Sequence, residues 1–132
     1  MPGCVDGMVV VMSDHIFVVD DDPAMGRLTT LALKSEGYNV AAFTSPKEAL
    51  AEVVDQAAPN PSVVILDLSM PEMDGREFYR RARAAGLTAP VLILSAYGAA
   101  AARLELGADA SLAKPFDTQQ LVDAVKMLRP AS

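Results

Sequence analysis

At 132 residues the chain is long enough for one domain with a real core, and 52% hydrophobic with 21% charged residues is the composition of a folded globular protein. Its 11 Lys and Arg against 17 Asp and Glu leave a net charge of -6, which argues against a nucleic-acid-binding surface. A single cysteine, Cys4, and a single histidine, His15, exclude a disulfide framework and a thiolate or His-rich metal site within one chain.

Residues 1–14 read as a loose N-terminal extension, and residues 15–130 as the domain. Within the extension, Val9-Val10-Val11-Met12 is apolar but too short to span a membrane, and it lacks the basic flank of a signal peptide. A cytoplasmic protein without membrane contact is expected; Met8 and Met12 leave a later start open.

His15, one residue before the first strand, reads as exposed. Ile16-Phe17-Val18-Val19 is a short apolar run that stops at Asp20-Asp21-Asp22-Pro23: a buried strand followed by acids. Asp22 reads as an N-cap with Pro23 in the first helical turn, and Met25, Leu28, Leu31 and Ala32 supply an apolar stripe until Gly37. Tyr38 to Phe43 reads as a strand, and Ser45-Pro46-Lys47-Glu48 opens a helix through about Gln56 with Ala49, Leu50, Val53 and Val54 buried.

Val63-Val64-Ile65-Leu66 lies between turn formers and delivers Asp67 to its carboxyl end. Taken alone, Asp67 is equally a site residue or a cap for the following turn. After the loop through Met70 and Met73, which reads as packing, Asp74 with Glu77 predicts the cap of a helix through Ala85. Val91-Leu92-Ile93-Leu94 is the fourth apolar run and ends in Ser95; an Ala-rich helix, Ala99 to Leu106, stops at Gly107. Asp109 reads as a solvated loop residue opening a weakly patterned edge strand to Ala113. Lys114-Pro115-Phe116 follows, and Asp117 with Gln120 caps a last helix burying Leu121, Ala124, Val125 and Leu128.

Five alternations of strand and helix predict an α/β fold: a flavodoxin-like, doubly wound (βα)5 three-layer sandwich with a parallel sheet in the order 2-1-3-4-5. The switch point of that order lies between strands one and three, so topology brings Asp20, Asp21 and Asp67 into one crevice, with Ser95 and Lys114 at its other side. Like carboxylates about 4 Å apart repel by on the order of 4 kcal/mol at an effective dielectric near 20, so they stay ionised only with a cation among them. The all-oxygen set suits Mg²⁺. With no His or other base nearby, Ser95 is a poor nucleophile. The constellation suits phosphoryl transfer onto a carboxylate: Asp67 attacks, while Mg²⁺ and Lys114 stabilise charge on the phosphoryl oxygens.

Ile16 to Pro23, Leu66-Asp67-Leu68-Ser69-Met70-Pro71-Glu72-Met73-Asp74-Gly75, Leu94-Ser95-Ala96, and Gly107-Ala108-Asp109 through Lys114-Pro115-Phe116 together resemble the CheY-like receiver domain of two-component response regulators. The resemblance covers Ile16 to Leu128 and is specific because four weak motifs occur in order at strand ends. It implies that Asp67 is the phosphoacceptor, charged by the phosphohistidine of a sensor histidine kinase or phosphotransfer protein. It also implies that Asp21 binds Mg²⁺ directly, Asp20 through water and Ser69 through its backbone carbonyl, and that Ser95 and Lys114 hold phosphate oxygens. The Lys114-Pro115 bond is expected to be cis, and Ser69 and Tyr97 occupy places that tune dephosphorylation. Such a domain is a switch rather than an enzyme, catalysing only its own phosphorylation and dephosphorylation.

Two departures stand out. Ser111 occupies a place usually held by an aromatic residue, and the segment from Ser95 to Gly107 is about one helical turn short. They give weight to a receiver fold used as a docking module without phosphorylation. A haloacid-dehalogenase-type phosphatase, suggested by Asp20-x-Asp22, is disfavoured: Ala24 stands where that family has Thr or Val, with Met25 beyond it, and no late acidic motif or cap domain is present. With no output domain evident before Ser132, the expected reader is a protein partner or a domain of a longer parent; homodimerisation stays open.

Overall fold

The computed structural model of the protein describes residues 15–55, 61–68, 73–96 and 98–129. Five strands, β1 (His15–Val19), β2 (Asn39–Phe43), β3 (Val63–Asp67), β4 (Val91–Ser95) and β5 (Ala110–Ala113), alternate with five helices, α1 (Pro23–Lys34), α2 (Pro46–Val54), α3 (Gly75–Ala84), α4 (Ala99–Leu106) and α5 (Thr118–Leu128). The strands are all parallel, in the order β2-β1-β3-β4-β5, as the alternation predicts. Because the side-chain period of a strand is 2, each central strand feeds two cores. Phe17, Val19, Val64, Leu66, Val91 and Ile93 pack with Ala49, Phe78 and Ala102 of α2, α3 and α4. Ile16, Val18, Val63, Ile65, Leu92 and Leu94 pack with Leu33 of α1 and Leu121, Val122 and Val125 of α5. This gives the three layers, with β1, β3 and β4 buried on both faces apart from half-buried His15.

Several local expectations need correction. His15 is the first residue of β1 and half-buried, its ring edge-on to Phe17 at 5.3 Å. In α1 the leucines expected to face the core, Leu28 and Leu31, are 50% and 68% exposed, and the buried positions are Gly26, Thr29 and Leu33. Leu33 docks into the core shared with Leu121, Val122 and Val125 of α5, and that rotation leaves Leu28 and Leu31 on the outward side. On α2, Ala49 is buried but Val54 is exposed, and the helix ends there with Asp55 as its C-cap; Gln56 lies outside the described residues.

Among the caps, Asp117 and Gln120 form a reciprocal box, and Asp22 Oδ1 accepts from the Ala24 N–H. Asp74 accepts from the Arg76 N–H without help from Glu77, which pairs with Arg81 instead. Asp109 is an exposed loop residue, as expected, but its carboxylate also ties the loop to β4. Its Oδ2 accepts the Val91 N–H at 2.9 Å while its own N–H donates to the Val91 carbonyl at 3.2 Å. Arg83 reaches the same carboxylate at 3.5 Å, donates to the carbonyls of Leu87 and Ala89, and lies over the Tyr79 ring. Met73 is buried, as its packing role predicts, whereas Met70 lies outside the described residues.

Candidate functional site

The sheet carries its acids at the carboxyl end. Val19 pairs with Leu66 in the β1–β3 register, so one further step sets Asp20 beside Asp67 at the switch point of the strand order. Backbone bonds hold the strand ends in place. The Asp20 N–H donates to the Phe43 carbonyl (3.0 Å), the Leu68 N–H to the Leu94 carbonyl (3.1 Å), and the Lys114 N–H to the Ser95 carbonyl (2.9 Å). The last of these hangs Lys114 over the crevice. Its Nζ lies 3.3 Å from Asp67 Oδ2, and the Lys114-Pro115 bond is cis.

Ligand oxygens of Asp20, Asp21 and Asp67 lie within 4.8 Å of one another. Asp20 and Asp67 are only 2% and 3% exposed, Ser95 is buried, and Asp21 is half-buried at the mouth. Burial pushes the Asp20 pKa from its ordinary 3.8 up to about 6; the neighbouring Asp67 charge adds to the rise, while the Asp22 N–H and Lys114 oppose it. That amide donates to Asp20 Oδ1 at 3.0 Å. With both carboxylates ionised, buried Asp20 Oδ2 receives no hydrogen bond among the described residues, and Asp67 can satisfy it only by sharing a proton.

An orphaned buried carboxylate oxygen, two further carboxylates and one ammonium leave an uncompensated negative charge walled by oxygen donors. The residues present therefore fit a hard divalent cation. Asp22 is not in this cluster; it is exposed and caps α1, which removes the acid that an Asp20-x-Asp22 phosphatase would need.

Residues 16–126 match the response regulator receiver domain family. The chain belongs to that family. Among similar receiver proteins, it is 34% identical over 125 residues to the alkaline phosphatase synthesis transcriptional regulatory protein SphR of Synechococcus elongatus, an alignment covering 88% of this chain and 49% of that protein. It is 36% identical over 122 residues to the transcriptional regulatory protein TrcR of Mycobacterium tuberculosis, covering 89% of this chain and 46% of the relative. The receiver thus spans about half the length of these relatives. A response regulator receiver protein from Burkholderia phymatum superposes with a TM-score of 0.78 at 32% identity, covering 90% of this chain and 100% of that one. A CheY-like receiver domain from Methanospirillum hungatei also superposes at 0.78, with 26% identity and coverage of 87% and 92%.

Of the receiver residues singled out from sequence, Asp20, Asp21, Asp67, Ser95 and Lys114 all lie at this end of the sheet. Ser69 and Tyr97 lie outside the described residues. Ser111 is half-buried on edge strand β5, opposite Ile93, and α4 is the shortest of the five helices at 8 residues. No helix among the described residues is long and apolar enough to cross a membrane. What sequence reading missed is the tightness of the return after β3: Gly75 packs against the backbone of Asp67 and Leu68. The Asp74-Gly75 pair signals a turn, but nothing in its pattern tells which backbone it approaches.

Proposed function

We propose that this receiver is a phosphorylation-controlled signalling switch in the cytoplasm, taking a phosphoryl group on Asp67 from a sensor histidine kinase or phosphotransfer protein. The observation that carries the reading is a buried carboxylate, Asp67, held between an ammonium at 3.3 Å and two further acids. In the transfer, an Asp67 oxygen attacks phosphorus as the phosphorus–nitrogen bond of the donor phosphohistidine breaks, and the imidazole leaves with the electron pair and takes up a proton. Lys114 neutralises charge on Asp67 and then on the phosphoryl oxygens, and the Ser95 hydroxyl donates to one of them. Asp20, Asp21 and Asp67, with the Ser69 carbonyl, would hold Mg²⁺, which supplies charge neutralisation at the phosphoryl oxygens. The chain's chemistry is confined to gaining and losing this one group. Its reader is a downstream protein or output domain, as the transcriptional regulators among its relatives suggest.

Intact-mass measurement after incubation with acetyl phosphate tests the proposal. One phosphoryl group should be gained only with Mg²⁺, stable to acid and labile to base, and absent in Asp67→Asn. Label retained in Asp67→Asn would remove the assignment, and no label under any condition would favour a docking module that works without phosphorylation.

A further inference from the structure

We propose that Gly75 is a positioning residue for the phosphoacceptor: its missing side chain lets the first turn of α3 close onto the backbone that aims Asp67. The inference rests on Asp67 being the acceptor. After Asp67 the chain leaves the sheet at Leu68 and comes back at Gly75, whose N–H donates to the Leu68 carbonyl at 3.1 Å. A Cβ on Gly75 would stand 2.6 Å from Leu68 Cα, 2.8 Å from the Asp67 carbonyl oxygen and 2.9 Å from Leu68 Cδ2.

The leucine methyl can rotate away, but the two backbone atoms cannot. Asp67 is locked opposite Leu94 in the β3–β4 register, and the Leu68 N–H is bonded to the Leu94 carbonyl. Nor is glycine needed here for a left-handed conformation, since the positive-φ glycines are Gly37, Gly86, Gly98 and Gly107. Gly75 opens α3 as an ordinary helical residue. Space is the requirement. Any side chain at 75 must lift α3 off the strand end or displace the Asp67–Leu68 backbone, and with it the carboxylate that faces Lys114 at 3.3 Å.

The test is the rate of phosphorylation by acetyl phosphate with Mg²⁺, followed by intact mass across donor concentration. Misplacement of a reacting group by about 1 Å lowers rates on the order of 100-fold, so Gly75→Ala should slow the saturating rate at least ~10-fold with little change in the half-saturating concentration. Partial unfolding alone would scale the observed rate by no more than the folded fraction, which urea unfolding of the variant measures independently, so the rate is compared after division by that fraction. Leu68→Ala added to Gly75→Ala should not restore the rate, because the backbone collisions remain. If Gly75→Ala is too unstable to assay, the same substitution is measured over Gly26→Ala, a helix-favouring change at a glycine with nothing within 4 Å of an added Cβ.

A folded Gly75→Ala protein labelled at the wild-type rate overturns the proposal. So does restoration by Leu68→Ala, which would reduce the effect to overpacking against one leucine. Failure of the phosphoacceptor reading is seen separately, as label persisting in Asp67→Asn.

Discussion

Removing the charge of Asp20 should stabilise the cation-free protein, and the effect should depend on pH with a definite sign. Asp20 is 2% exposed, and its pKa is raised from 3.8 to about 6, first by burial and further by the Asp67 charge. A carboxyl whose folded pKa lies above its unfolded value binds more protons folded than unfolded. Its stabilising contribution is therefore complete below about pH 4 and is lost as pH rises toward 6. A rise of this size corresponds to about 3 kcal/mol at neutral pH, a large share of the stability of a small domain. Asp20→Asn keeps an acceptor for the Asp22 N–H, can donate to Asp67, and carries no charge to bury. Urea unfolding in a chelator between pH 4 and 7.5 should show the variant gaining on the wild type through that window, up to about 3 kcal/mol. Mg²⁺ should close the gap at pH 7 by stabilising the wild type, by about 2.7 kcal/mol at 100 times its dissociation constant, and do little at pH 4. A difference between the two proteins that stays flat with pH, or runs the other way, would refute the reasoning.

Lys114→Ala should deepen the same loss above pH 6 while leaving phosphorylation of Asp67 partly intact and weakening the signalling output, measured by urea unfolding, intact mass and partner binding. At the other end of the sheet, Asp109→Ala strips the buried Val91 N–H of its acceptor and should cost about 1–3 kcal/mol in chemical denaturation; a cycle with Arg83→Ala should be non-additive because both serve one network. Gly26→Ala should raise stability by roughly 0.5–1 kcal/mol, since the glycine pays helix entropy where a methyl meets nothing. Asp117→Ala should cost about 1 kcal/mol by breaking the α5 capping box.

The β-strands and the acids at their ends were legible because both are written locally. Val63 to Leu66 can be buried on both faces only in a covered parallel sheet, and the topology of five alternations then decides which strand ends are neighbours. Asp20, Asp21 and Asp67 thus come together from order alone, and Ser95 and Lys114 follow by the same rule. Helix faces were less legible. In α1 the apolar stripe through Leu28 and Leu31 points outward, and the buried line runs through Gly26, Thr29 and Leu33 instead. The pattern records hydrophobicity, whereas the rotation of α1 follows the docking of Leu33 into the core shared with α5, which local periodicity does not encode. The backbone bond of exposed Asp109 was missed, and Glu77 misread, for a related reason. A carboxylate that accepts from a backbone amide eighteen residues away, or pairs along its own helix, carries the same letter as one that faces water or caps a turn.

The ties made by Arg83 and Asp109 give the molecule a fixed end and a working end. They fasten the start of β4 at Val91, while the acids and Ser95 stand at the opposite end, four residues and about 13 Å along the strand. Between them the strands cannot slide, since a shift of one residue would turn Phe17, Val64 and Ile93 to the wrong core. A change of charge on Asp67 therefore cannot travel as a slip of the sheet. It has to be taken up outside the strand register, beyond the pairings that hold Asp67 opposite Leu94 and Val19 opposite Leu66.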